Sequence, residues 1–114
     1  MANNIAFQPM GKTYHVTASN AAVTNITVAS DSPSNQYRLG NHSNQDVYVW
    51  ISPNASPINV AVPTNGSPQY AVLVPKTSVC IISGPQCSSS TPVQVSVISE
   101  NDGPELYITP GEGL

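Results

Sequence analysis

Charge is what this chain has least of. Three of its 114 side chains are Lys or Arg and six are Asp or Glu, for a formal net charge of −3. The cations Lys12, Arg38 and Lys76 lie far apart in sequence. Gripping a phosphate backbone takes several clustered Lys or Arg, so no nucleic-acid partner is expected. Long apolar runs are also missing. Ser, Pro or Asn interrupts every hydrophobic segment well short of the ~20 residues that span a bilayer, so no membrane partner is expected. Met1-Ala2-Asn3-Asn4-Ile5 lacks the basic start and apolar core of a signal peptide, and synthesis in the cytosol is the expectation. Cysteine is scarce: Cys80 and Cys87 could close a short loop through Ser83-Gly84-Pro85, but in a cytosolic product two reduced thiols are expected. The Asn-x-Ser/Thr matches at Asn25, Asn41, Asn54 and Asn65 would then carry no glycan.

What the chain has instead is Ser, Thr, Asn, Pro and β-branched residues. Helical apolar stripes are nearly absent, and alternation with period two replaces them. Strands are expected at 13–18, 23–29, 36–39, 46–52, 58–62, 69–74, 78–83, 93–99 and 105–109. The strongest, 46–52, sets Val47, Val49 and Ile51 on one face and Tyr48 and Trp50 on the other. Turn signals recur every eight to twelve residues, which is sandwich spacing rather than alternating strand and helix. Most of the 11 prolines fall between the expected strands, where a missing N–H costs nothing. Glu100-Asn101-Asp102-Gly103 reads as a hairpin joining the last two strands. The expected fold is all-β, an antiparallel sandwich of jelly-roll or immunoglobulin-like type with about nine short strands. Residues 1–11 read as an N-terminal arm and 12–114 as one β-sandwich domain. Ile5 and Phe7 alternate briefly before Pro9 and Gly11 break the arm, which either crosses to a neighbouring subunit or forms an edge strand of its own domain.

Chemistry is hard to find. His15 and His42 lie at no spacing typical of metal ligands, and the pair His42 and Asp46 reads as turn chemistry. No Gly-x-Ser-x-Gly elbow occurs, and a chance Ser, His and Asp trio carries little weight in so Ser-rich a chain. Glu100, Asp102, Glu105 and Glu112 crowd the last fifteen residues, but a domain this small could barely shape the cleft that a paired-carboxylate glycosidase needs. The chain is therefore expected to have no enzymatic activity, no cofactor and no metal. Aromatics remain as recognition anchors, with cross-strand packing as the competing role. The expected interface residues are Ile5, Phe7, Pro9, Tyr48, Trp50 and Tyr107.

Four segments occur in an order that covers most of the chain from residue 14: Gln36-Tyr37-Arg38-Leu39-Gly40-Asn41, Asp46-Val47-Tyr48-Val49-Trp50-Ile51, Ala71-Val72-Leu73-Val74-Pro75 and Leu106-Tyr107-Ile108-Thr109-Pro110-Gly111-Glu112-Gly113. This order resembles small structural proteins of tailed bacteriophages. The resemblance implies a virion protein, a head decoration or cement subunit on the capsid exterior, made in the host cytoplasm. Its implied partners are the major capsid protein or other virion subunits; the low-charge surface adds the expectation of self-association, for which a dimer or trimer would suit a lattice with local symmetry. The alternative it leaves open is a receptor- or carbohydrate-binding module of a tail or head fibre, with loops in the region 53–67 forming the site. Neither alternative supplies catalytic residues.

Overall fold

The computed structural model describes residues 7–101 and 103–112. Nine strands follow in chain order: β1 (Gln8–Pro9), β2 (Tyr14–Thr17), β3 (Thr24–Val28), β4 (Ser34–Asn41), β5 (Val47–Pro53), β6 (Val72–Val74), β7 (Ser78–Cys87), β8 (Val93–Ser99) and β9 (Glu105–Glu112). No helix occurs among the described residues. One sheet runs β1-β9-β4-β7, with β2 continuing the β1 edge along β9, and the other runs β3-β8-β5-β6. Every pairing is antiparallel, and the pairs are nested: β2 with β9, β3 with β8, β4 with β7 and β5 with β6. That nesting is a long hairpin folded over itself, the jelly-roll form of the sandwich. It decides between the two sandwich types left open by the sequence.

Between the sheets lies a core of β-branched and aliphatic side chains. Val47, Val49 and Ile51 of β5, Val93, Val95 and Val97 of β8, and Leu106 and Ile108 of β9 are buried. Tyr37 and Leu39 of β4, with Val16, Ala18, Val28, Val74 and Cys87, complete the cluster. The alternation read in 46–52 is the one observed, with Tyr48 and Trp50 pointing away from the core.

Several expectations give way to a different arrangement. Residues 58–62 form no strand. They cross the outer face of the β3-β8-β5-β6 sheet as a strap, where the Ile58 N–H donates to Ser52 Oγ at 3.0 Å and the Val60 N–H to Ser96 Oγ at 3.0 Å. The apolar alternation there serves burial of Val60 under hydroxyl anchors, not a ladder. The strand expected at 69–74 shrinks to β6, and Ser83-Gly84-Pro85 is no turn but part of β7, beside a register shift opposite Ser34 and Gln36. Cys80 and Cys87 are both free. Seven positions apart along one extended strand, on the order of 20 Å, they cannot bridge. The connection from β8 to β9 joins strands of different sheets and is no hairpin. Its Gly103 has the expected positive φ, 106°, and its N–H donates to the Ala18 carbonyl.

Pro110 sits inside β9, a central strand. Its carbonyl accepts from the Met10 N–H at 2.9 Å, so its nitrogen faces the same edge, at the gap between β1 and β2. No ladder bond to β4 is lost. At the arm, Gln8 and Pro9 pair with Glu112 and Gly111 of the same chain. Gly111 is needed there: a Cβ at this position would run into the Phe7 ring and the Gln8 carbonyl oxygen.

Candidate functional site

The outer face of the β1/β2-β9-β4-β7 sheet carries the most chemically mixed surface of the described residues. Alternation along β9 sends Tyr107, Thr109 and Gly111 outward, and the β4 register places Gly40, Arg38 and Gln36 beside them. On the far side of β4, Val79 lies opposite Gly40 and Ile81 opposite Arg38. Gly40 lacks a side chain in the middle of this row, and the gap forms the floor of a concavity of about 660 Å³ bordered by Arg38, His42, Val79, Tyr107 and Thr109. A Cβ at Gly40 would lie 3.9 Å from Arg38 Nη1, so the guanidinium borders the hollow directly.

One wall of the hollow is aromatic. The His15 ring stacks on Tyr107 with centroids 4.7 Å apart, and His42 meets the same ring edge-on at 6.3 Å. His15 Nε2 lies 3.2 Å from Glu105 Oε1 on the exposed rim. Thr13 and Thr109 share a hydroxyl hydrogen bond of 2.7 Å. No carboxylate among the described residues neutralises Arg38. Beneath one end, Asn41 ties β4 to the following loop and to β6: its Nδ2 donates to the Gln45 carbonyl at 2.8 Å and the Val74 carbonyl at 3.2 Å, while its Oδ1 accepts from Ser43 Oγ at 2.6 Å. This buried knot also makes Asn41 inaccessible as a glycan acceptor.

The expected interface residues divide between two opposite faces. Phe7 over Gly111, Pro9 in β1 and Tyr107 belong to the sheet just described. Tyr48 and Trp50 belong to the outer face of the other sheet. There Trp50 packs on Tyr70 at 5.3 Å, and the Tyr48 hydroxyl donates to Glu100 Oε1 at 3.2 Å. Partial burial raises the Tyr48 phenol above its ordinary pKa, and the nearby carboxylates of Glu100 and Asp46 push it the same way. Ile5 lies outside the described residues. The loop region 53–67 faces the Tyr48 side, through the strap, and so does not line the Arg38 hollow.

Sequence reasoning passed over Arg38, Gly40, Val79 and Ile81. A signal for Gly40 was present, since glycine inside a strand often marks close approach or an opening. Asp46, once paired with His42 by spacing, instead accepts the Lys76 N–H at 2.8 Å. Among the described residues no three His, Cys, Asp or Glu side chains cluster as metal ligands would.

The class defined here is a jelly-roll sandwich with one mixed outer face and a long free edge at β7. Comparison with known protein families, curated proteins and solved structures finds no match for the chain.

Proposed function

We propose that this chain is a non-enzymatic structural subunit of a virion, a capsid decoration or cement protein that bridges major capsid subunits on the outside of the shell. The observation that carries the reading is the exposure of large apolar side chains on a body with so few charges. Tyr70, Leu73, Val79 and Ile81 are all about half exposed, Tyr70 and Leu73 on the face that carries Trp50 and Tyr48, Val79 and Ile81 on the opposite face along β7. A soluble protein with nine charged residues and such edges gains by burying them against neighbours. Jelly rolls are common in viral capsid domains, which supports the reading by analogy of fold alone. Weak contacts repeated over a lattice stabilise a shell because each bound copy adds to the cost of opening it.

A second reading, a carbohydrate- or receptor-binding module of a fibre, is favoured by the hollow beside Arg38, where a guanidinium that no described carboxylate neutralises, hydroxyls and an aromatic wall meet. Copy number separates the two. Quantitative mass spectrometry of purified particles against the major shell subunit is expected to count hundreds of copies. A dozen or fewer would favour the fibre module, and absence from particles would overturn the virion reading.

A further inference from the structure

The molecule has four sheet edges, and three of them are protected. The β1/β2 edge is broken between its two strands and carries Pro9 and the imidazole of His15. The β6 edge is three residues long, and the β3 edge is five residues long with Asn25 tied to Asn59 of the strap. The β7 edge differs. It runs ten residues, Ser78–Cys87, without one charged side chain. Natural edges of this length are usually blunted by Lys, by early Pro or by a covering loop. Here Pro85 comes late, and among the described residues nothing covers the first half.

The backbone groups on this edge can be assigned. The His42 N–H donates to the Glu105 carbonyl, so even-numbered residues of β4 turn their polar groups toward β9 and the odd-numbered ones toward β7. Tyr37, Leu39 and Asn41 therefore engage Ile82, Cys80 and Ser78. Val79, Ile81 and Ser83 are left with their N–H and C=O groups pointing away from the sheet. These same residues carry the exposed side chains, with Val79 52% and Ile81 49% accessible. The run Val79-Cys80-Ile81-Ile82 is apolar on both faces, the pattern of a strand with neighbours on both sides, yet it stands at the margin.

We infer that β7 pairs with β7 of a second copy of this chain, antiparallel about a two-fold axis at Cys80, joining two five-stranded sheets into one continuous sheet. The axis at Cys80 sets Val79 opposite Ile81 of the second copy and Ile81 opposite its Val79, both as hydrogen-bonded pairs. An axis at Ile81 would instead set Val79 opposite Ser83. A second copy suits this edge because the strand bears no charge, so the symmetry brings no like charges together. The four aliphatic side chains then shield one another on the outer face, and the two Cys80 residues face each other in a non-hydrogen-bonded pair. The Cα separation of such pairs, about 4.5 Å, lies within the range a disulfide accepts. This inference rests on the edge alone and stands apart from the virion reading.

The test is made on the purified full chain by analytical ultracentrifugation over a range of micromolar concentrations. The wild type is expected to sediment at twice the 11.9 kDa chain mass. Ile81→Lys sets two ammonium groups near the axis. Val79→Pro removes an outward donor without touching the β4 ladder. Both are expected to sediment as monomers with the circular-dichroism spectrum retained. Diamide, which oxidises two thiols to a disulfide as it is itself reduced, is expected to yield a covalent dimer with the wild type and none with Cys80→Ser. A monomeric wild type, or a dimer indifferent to both edge variants, overturns the inference. A dimer sensitive to both variants that diamide fails to link overturns the Cys80 register.

Discussion

Tyr37 shows how one side chain holds several parts of the sandwich. Its ring is fully buried in the core, and its hydroxyl donates to the Pro85 carbonyl. Gly84 lets β7 pass close over that ring: a Cβ there would lie 3.2 Å from Tyr37 Cε2. Burial, then the neighbouring Cys87, pushes the phenol well above its ordinary pKa. The linkage has a definite sign. Once pH exceeds the unfolded value near 10, the unfolded chain gives up a proton that the folded chain keeps, so stability falls as pH rises. The expected slope from this residue is about 1.4 kcal/mol per pH unit above roughly pH 10. Tyr48 acts in the same direction. Tyr37→Phe is expected to cost about 1–3 kcal/mol at neutral pH, because the Pro85 carbonyl loses its donor, and to flatten the alkaline decline. Urea melts of both proteins from pH 7 to 11 check both effects. A decline of equal steepness in the variant would remove Tyr37 as its cause.

At the scale of elements, the strap across Ser52 and Ser96 shows where pattern reading reaches its limit. β2, β3, β5 and β8 were legible because their apolar residues alternate against a polar outer face. Residues 58–62 alternate equally well, but their backbone partners are hydroxyls on a sheet already complete, which no local pattern announces. Ser96 is itself the missed clue: a serine fully buried in the middle of β8 needs a polar partner, and it finds the Val60 N–H. Ser96→Ala is expected to destabilise by about 1–2 kcal/mol, since the N–H beneath the strap is left without an acceptor. Limited proteolysis should then cut within 54–71 well before the rest of the chain is lost. Unchanged protection would mean that Val60 burial alone seats the strap. β4, β7 and β9 ran longer than their sequence signals, because Gly40, Gly84-Pro85 and Pro110-Gly111 read as breaks yet sit where a bulge, a free edge or a close approach tolerates them. The hollow escaped notice for a related reason: Arg38, Gly40 and Tyr107 are neighbours only through the β4 and β9 register.

At the scale of the whole molecule, turn signals located nearly every chain reversal but not its destination. Among strands adjacent in sequence, only β5 and β6 pair with each other, and they are separated by the long connection that contains the strap. Every other connection leads elsewhere, so the nested jelly-roll order is a property of long-range packing. That architecture leaves the free β7 edge at one margin and puts Phe7, Pro9 and Tyr107 on the opposite face from Tyr48 and Trp50. A bridging subunit can use these surfaces separately, one toward its own copies and one toward the shell. The most direct measurement of the proposed role is the temperature at which shells release their genome, for particles made with this chain, without it, and without it but resupplied with the purified protein. The account predicts that particles lacking the chain rupture at lower temperature and that resupply restores the loss. Identical rupture temperatures in all three would contradict it.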